Sequence, residues 1–275
     1  MRLPKPLAKF YADRGPHLAA MIAYFALLSF VPLLFLTISL LSLAGRPDES
    51  SYLVTELKRA FPGSSISSIV HTVRAIQNHA TALGILGAAG LLWTSLSLFS
   101  VLESAFNIVY GQPNRSFLRG KLLAVALMLI SLVTLFFGLL AGSFGFDLLK
   151  RYAASVASNS YVAYALSVAV STIAVFVFLV AVYYLLTNVE HTLKDVLPGA
   201  IVAAVALEAS FQVLPIYVRY SGNVVALKAL GGPALLLVWL YVMANVIVFG
   251  AEVNWRFSQK HHRPTADEQE AAGLA

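Results

Sequence analysis

A chain of 275 residues that is 59% hydrophobic and only 12% charged lies far from soluble averages of about 45–50% apolar and about 25% charged. That excludes an ordinary soluble globular domain and points to an all-α, polytopic membrane protein. Zero cysteines exclude disulfides, thiolate metal sites and cysteine nucleophiles. The formal net charge of +6 predicts no nucleic-acid partner, because the cations fall in short loops and at the termini, where membrane topology accounts for them.

In chain order, Leu3, Leu7, Phe10 and Tyr11 alternate with Arg2, Lys5, Lys9 and Arg14, a pattern that suits a short amphipathic helix in the inner membrane interface. The first apolar run, 17–44, carries no charge after His17. It is about twice as long as the 7–15 residues of a signal core, so it reads as a retained membrane helix. The segment 46–80 is polar and broken by Phe61-Pro62-Gly63. After the break, Ile66, Ile69, Val70, Val73 and Ile76 form one apolar stripe, which predicts an amphipathic helix that lies on the outer surface or caps the bundle.

The second membrane helix is expected at 83–110. It is free of charge up to Leu102, then carries Glu103 and Asn107, and is followed by Arg115, Arg119 and Lys121. A third, 122–146, places Gly138 and Gly142 in a small-xxx-small pair that lets a neighbouring helix approach closely, within one subunit or between two copies of a homo-oligomer. The fourth spans 161–187. A polar turn follows, with Asp195 as the expected N-cap of a fifth helix at 196–218, where Pro215 should impose a kink or an early end. A Gly-rich loop over 219–232 leads to the sixth helix, 233–256. Residues 1–258 thus read as one six-helix membrane domain, and 259–275 as a disordered cytoplasmic tail. Six crossings put both termini on one side. The cations near the N-terminus and in the 111–121 loop place that side inside.

Three helices carry polar stripes. On the second, Trp93, Ser97, Ser100, Glu103, Ser104 and Asn107 share an arc of about 120°. On the fifth, Glu208, Gln212, Pro215 and Arg219 share one, and on the sixth so do Tyr241, Asn245, Glu252 and Arg256. Lipid satisfies none of these groups, so the stripes are expected to face one another around a polar or hydrated interior. Glu252 precedes Arg256 by one helical turn, which predicts a local ion pair. Glu103 has water or the 115–121 cations within reach. Glu208 falls near mid-membrane, about 16 Å along the axis from Arg219, and needs a partner from another helix. Glu103/Asn107 and Glu208/Gln212 repeat one pattern in two halves of opposite orientation, the arrangement of inverted-repeat transporters.

No Gly-rich phosphate loop, HExxH or G-x-S-x-G occurs. The histidines lack metal-ligand spacing. Neither an enzyme nor a cofactor or metal site is expected.

Short stretches along nearly the whole chain, residues 10 to 258, carry a resemblance. They are Ala23-Tyr-Phe-Ala-Leu-Leu-Ser-Phe-Val-Pro-Leu33, Leu92-Trp93-Thr-Ser, Asn107-Ile-Val-Tyr110, Leu197-Pro-Gly-Ala200, Leu240-Tyr241 and Gly250-Ala-Glu-Val-Asn254. Together they resemble the BrkB/YihY family of bacterial inner-membrane proteins. The resemblance implies six helices in the cytoplasmic membrane; members have carried a ribonuclease label or been linked to serum resistance, and it implies no settled activity. No cluster of carboxylates or histidines in this sequence suits metal-dependent RNA cleavage.

Two functions follow as expectations. The first is a transporter or permeation protein with Glu103, Asn107, Glu208, Gln212, Tyr241 and Asn245 along its pathway. Its partners are membrane lipids and a small-molecule, ion or lipid substrate. The second is a non-transporting scaffold that supports envelope integrity, in which the same polar groups are interhelical hydrogen bonds.

Overall fold

Long runs of Leu, Ala, Val and Phe leave the backbone nothing but itself to bond with in a bilayer, and a helix satisfies it. In the computed structural model, residues 5–43, 80–131, 133, 160–190, 192–221 and 232–261 are described, and all regular structure among them is helical. The helices are α1 Lys5–Ala12, α2 Gly15–Leu43, α3 Ala80–Tyr110, α4 over 117–131, α5 Ser160–Leu186, α6 Leu193–Ser221 and α7 Gly232–His261. Five of them, α2, α3, α5, α6 and α7, contain apolar segments long enough to cross a membrane. The chain is a multi-pass membrane protein.

α3 ends beside α1, where the Val109 carbonyl accepts from Lys9. α4 starts from that same end, and α5 returns to it, with the Leu186 carbonyl accepting from Arg115. α4 coincides with the first part of the third membrane helix expected from the sequence. The rest of that expected helix, with Gly138 and Gly142, lies outside the described residues, as do most of the 46–80 segment, most of the 219–232 loop and the tail beyond His261.

Three expectations at helix ends need correction. α6 continues through Pro215 to Ser221 instead of stopping near 218. A proline removes one backbone donor, and in a long apolar helix neighbouring groups absorb that loss. Asp195 is not the N-cap of α6. It sits in the first turn, and its Oδ2 accepts from the Thr192 backbone N–H and hydroxyl, both at 2.9 Å. Thr192 is therefore the cap, and Asp195 is the acidic member of a capping box reaching back to it. α7 runs on to His261, five residues past its expected end at Arg256, and takes in the start of the expected tail.

Packing follows α2 along α3, α7 along both α2 and α6, and α5 along α6, with α1 lying against α7 and α2. Lipid is as apolar as leucine, so helices gain little from hydrophobicity when they associate; close backbone approach and polar contacts hold them. Two crossings show this. On α3, Gly84, Gly87 and Gly90 face α2, and a Cβ on Gly87 would lie 2.9 Å from the Leu36 nitrogen and 3.1 Å from the Pro32 carbonyl. Between α6 and α7, a Cβ on Gly199 would collide with the Gly250 carbonyl, and one on Gly250 with the Tyr183 hydroxyl. That hydroxyl donates to the Ile247 carbonyl at 2.7 Å, fastening α5 to α7. The buried cluster around Phe106, Val109, Tyr183, Leu186, Ala200 and Val248 lies toward the end that carries α1. Ile85, Val170, Ile173, Val177 and Val205 are exposed, as a lipid-facing surface requires.

Candidate functional site

The polar side chains fall into two groups at different depths. The first occupies the α1 end of the bundle. Glu103 is buried, and its Oε1 accepts from the Arg115 backbone N–H at 3.1 Å and lies 3.5 Å from the Arg115 guanidinium. The same guanidinium donates to the carbonyls of Leu186 at 2.6 Å and Thr187 at 2.8 Å. Asn107 is fully buried. Its amide donates to Asn114 Oδ1 at 3.0 Å, and its Oδ1 accepts from the Asn188 N–H at 2.8 Å. Asn188 in turn donates to the Pro113 carbonyl at 3.0 Å. Glu103 and Asn107 thus fold the 111–116 loop back over α3, and Arg115 and Asn188 join that loop to the end of α5. Lys121 completes the cover on α3, donating to Ser100 Oγ at 3.0 Å. The carbonyls at the end of α5 are orphans of the helix terminus, and a guanidinium suits both their lone pairs and the negative end of the dipole.

Glu252 belongs to the same end. It is fully buried, and its partner is Lys9 of α1 at 3.3 Å, not Arg256 one turn along its own helix. The i,i+4 spacing makes a local pair geometrically available, but Glu252 lies inside the bundle, and α1 brings an ammonium to it there. Asn254 points toward α6, where its Oδ1 accepts from the Gly199 N–H at 2.6 Å.

The second group lies about 20 Å along α6 from the Asp195 end, whereas Glu103 is about 10 Å from the end of α3. Here Glu208 is 9% exposed. Its Oε2 accepts from the Ser171 hydroxyl of α5 at 3.1 Å and its Oε1 from the Gln212 amide at 2.7 Å. Among the described residues no cation is paired with it. Ser171 and Gln212 are themselves exposed, so the carboxylate sits just beneath a polar strip between two helices.

The six residues expected along one pathway therefore occupy three places. Glu103 and Asn107 share the loop network, Glu208 and Gln212 share the α5–α6 strip, and on α7 Asn245 donates to the Tyr241 carbonyl at 2.7 Å. α3 and α6 are not among the extensively packed pairs. Trp93, assigned to the α3 stripe, is 73% exposed, so that stripe turns outward away from the α1 end. Among the described residues no group of three or more histidines or carboxylates is placed to hold a metal.

Sequence reasoning passed over Lys9 as a contact for Glu252, Arg115 as a bridge to α5, and Asn188, Asn254 and Ser171 as partners. It also passed over the Gly84, Gly87 and Gly90 row, although its three-residue spacing on a helix was readable as a packing face.

The stretches that carry the family resemblance meet in this arrangement. Asn107–Tyr110 ends α3 at the loop network, and the Leu197–Ala200 stretch touches the Gly250–Asn254 stretch through Gly199, Gly250 and Asn254. Comparison with known proteins agrees. Ribonuclease-like protein YfkH of Bacillus subtilis is 25% identical over 258 residues, covering 92% of this chain and 93% of that protein. A UPF0761 membrane protein of Rhodospirillum rubrum is 27% identical over 275 residues, covering 93% of this chain and 60% of the relative. One from Vibrio vulnificus is 25% identical, covering 95% of this chain and 84% of the relative. The chain thus spans about three fifths of some of the relatives it matches. No solved structure matches it. The family model described as virulence factor BrkB matches residues 7–274, and the chain belongs to that family.

Proposed function

We propose that the protein is a membrane transporter or permeation protein in which Glu208 is the working carboxylate. The observation that carries this reading is a carboxylate near mid-membrane held only by neutral donors, Ser171 and Gln212, with no cation paired to it among the described residues. A charge at that depth is expensive, roughly 3 kcal/mol on insertion scales, and such groups mark ion or proton pathways. Each carboxylate oxygen accepts from one neutral donor, a hydroxyl on Oε2 and an amide on Oε1, so the group is held in place without a cation. Tyr241 and Asn245, half-buried on α7, extend the polar route in this reading. Glu103 and Asn107 support it from the α1 end by holding the loop. The substrate is an ion, a small molecule or a lipid, and the reading requires no catalysis.

The α1 end is the cytoplasmic side in this proposal. Lys9, Arg14, Arg115, Arg119, Lys121, Lys194 and Arg256 all belong to helix ends or loops there, which is the distribution the positive-inside rule demands. In a bacterium the membrane is then the inner one.

A second reading has its own observation. The Glu103–Arg115 and Asn107–Asn188 contacts use up their polar groups on the chain itself, which is what a rigid scaffold supporting the envelope would need. The ribonuclease-like name belongs to the Bacillus relative, and no nuclease chemistry is assigned to this chain. Native mass spectrometry of the purified protein beside Glu208→Ala separates the readings: a co-purifying lipid or small molecule lost in the variant supports permeation. Equal, ligand-free spectra and equal stability favour the scaffold.

A further inference from the structure

Lys9 reaches from its own short helix into a cage built largely by two others. Its ammonium is 3.3 Å from the Glu252 carboxylate, donates at 2.7 Å to the Val109 carbonyl and stands 4.4 Å from the centroid of the Trp255 ring. A further contact, Asp13, lies on the turn just after α1. The first three groups belong to α3 and α7. A carboxylate, a carbonyl and an aromatic face converging on one point recognise an organic ammonium: charge, hydrogen bond and ring quadrupole all favour a cation with N–H donors and an alkyl stem.

The cage is incomplete without a cation. Glu252 is fully buried, and the Lys9 ammonium, which it shares with Asp13, is its compensating charge among the described residues. Val109 lies in the last turn of α3, where carbonyls lack helical partners. The element that supplies the ammonium is the slightest in the fold. α1 is eight residues long and joins α2 through a turn in which Arg14 adopts a left-handed φ of 57°. Beyond Lys9, its buried anchor is Phe10, which packs edge-on against Phe249 at 6.1 Å.

We propose that Glu252, the Val109 carbonyl and the Trp255 ring form a binding site for a primary organic ammonium, which Lys9 fills in cis while α1 acts as a tethered ligand. The external ligand is an alkylammonium group, carried either by the headgroup of an aminophospholipid or by a free amine. The site lies at the bundle end, where headgroups reside, and is independent of Glu208.

The test is chemical rescue in the full chain. Lys9→Ala removes the ammonium and three methylenes; n-butylammonium carries the same ammonium on a stem one methylene longer, which the 18% exposure of the Lys9 side chain accommodates. The variant melts roughly 10 °C below the wild type. n-Butylammonium chloride restores at least half of that loss, sodium chloride at equal ionic strength does not, and adding Glu252→Gln to Lys9→Ala abolishes the response. A second arm places Lys9→Ala in phosphatidylglycerol nanodiscs with or without phosphatidylethanolamine. Stabilisation by the ethanolamine lipid assigns the site to a headgroup, and a response to n-butylammonium alone assigns it to soluble amines. If neither outperforms sodium, the site does not exist. Should Lys9→Ala fail to accumulate, Lys9→Gln tested with methylammonium carries the same comparison.

Discussion

The α1 end and the middle of the bundle treat a buried carboxylate in opposite ways. Glu103 and Glu252 each meet a cation supplied by another part of the chain, Arg115 and Lys9. Glu208 meets a hydroxyl and an amide. The difference teaches that a glutamate within an apolar helix has no single meaning. Near a helix end, loops and flanking helices bring cations within reach, and the carboxylate becomes a fastening. Deeper in, other membrane helices surround it, cations are scarce, and the carboxylate takes neutral donors from those helices instead.

Substitutions break or sharpen that contrast, and the largest effect belongs to the frame on which both regions hang. Gly199→Ala places a methyl against the Gly250 carbonyl and the Asn254 amide. It should cost on the order of 4 kcal/mol, seen as loss of a monodisperse peak on size exclusion. Arg115→Ala leaves Glu103 with its backbone donor alone and frees the carbonyls of Leu186 and Thr187. We expect about 3 kcal/mol of destabilisation and proteolytic cleavage in the 111–116 loop. A smaller effect is expected from Asn107→Ala, which removes bonds to Asn114 and Asn188 and should cost about 2 kcal/mol in a denaturation titration. Glu208→Gln should be the mildest, under about 1 kcal/mol, because a neutral amide still accepts from Ser171. If Glu208→Gln proves as damaging as Arg115→Ala, the contrast between the two regions disappears.

Much of the frame was legible in the sequence. Apolar runs marked the five spans, since charge-free length is a direct signature of the bilayer. The polar stripes on α3, α6 and α7 were legible too, because 3.6-residue periodicity places residues on a face. Which face meets which was not. Lys9 and Glu252 stand near opposite ends of the chain, and nothing in either local pattern announces the other. The i,i+4 rule offered Arg256 instead. Asn188 and Ser171 read as ordinary loop and helix polar residues until Asn107 and Glu208 are seen against them. Of the two outcomes expected at Pro215, a kink or an early end, the early end does not occur: α6 runs through it, as an apolar setting with neighbouring helices permits.

The most direct test of the central claim pairs Glu103→Gln with Glu208→Gln in the same liposome preparation, measuring melting temperature and proton-driven flux per folded molecule. The account predicts that Glu103→Gln lowers the melting temperature while each folded molecule keeps its flux, and that Glu208→Gln melts like the wild type and loses flux. A Glu208→Gln protein with undiminished flux would contradict it.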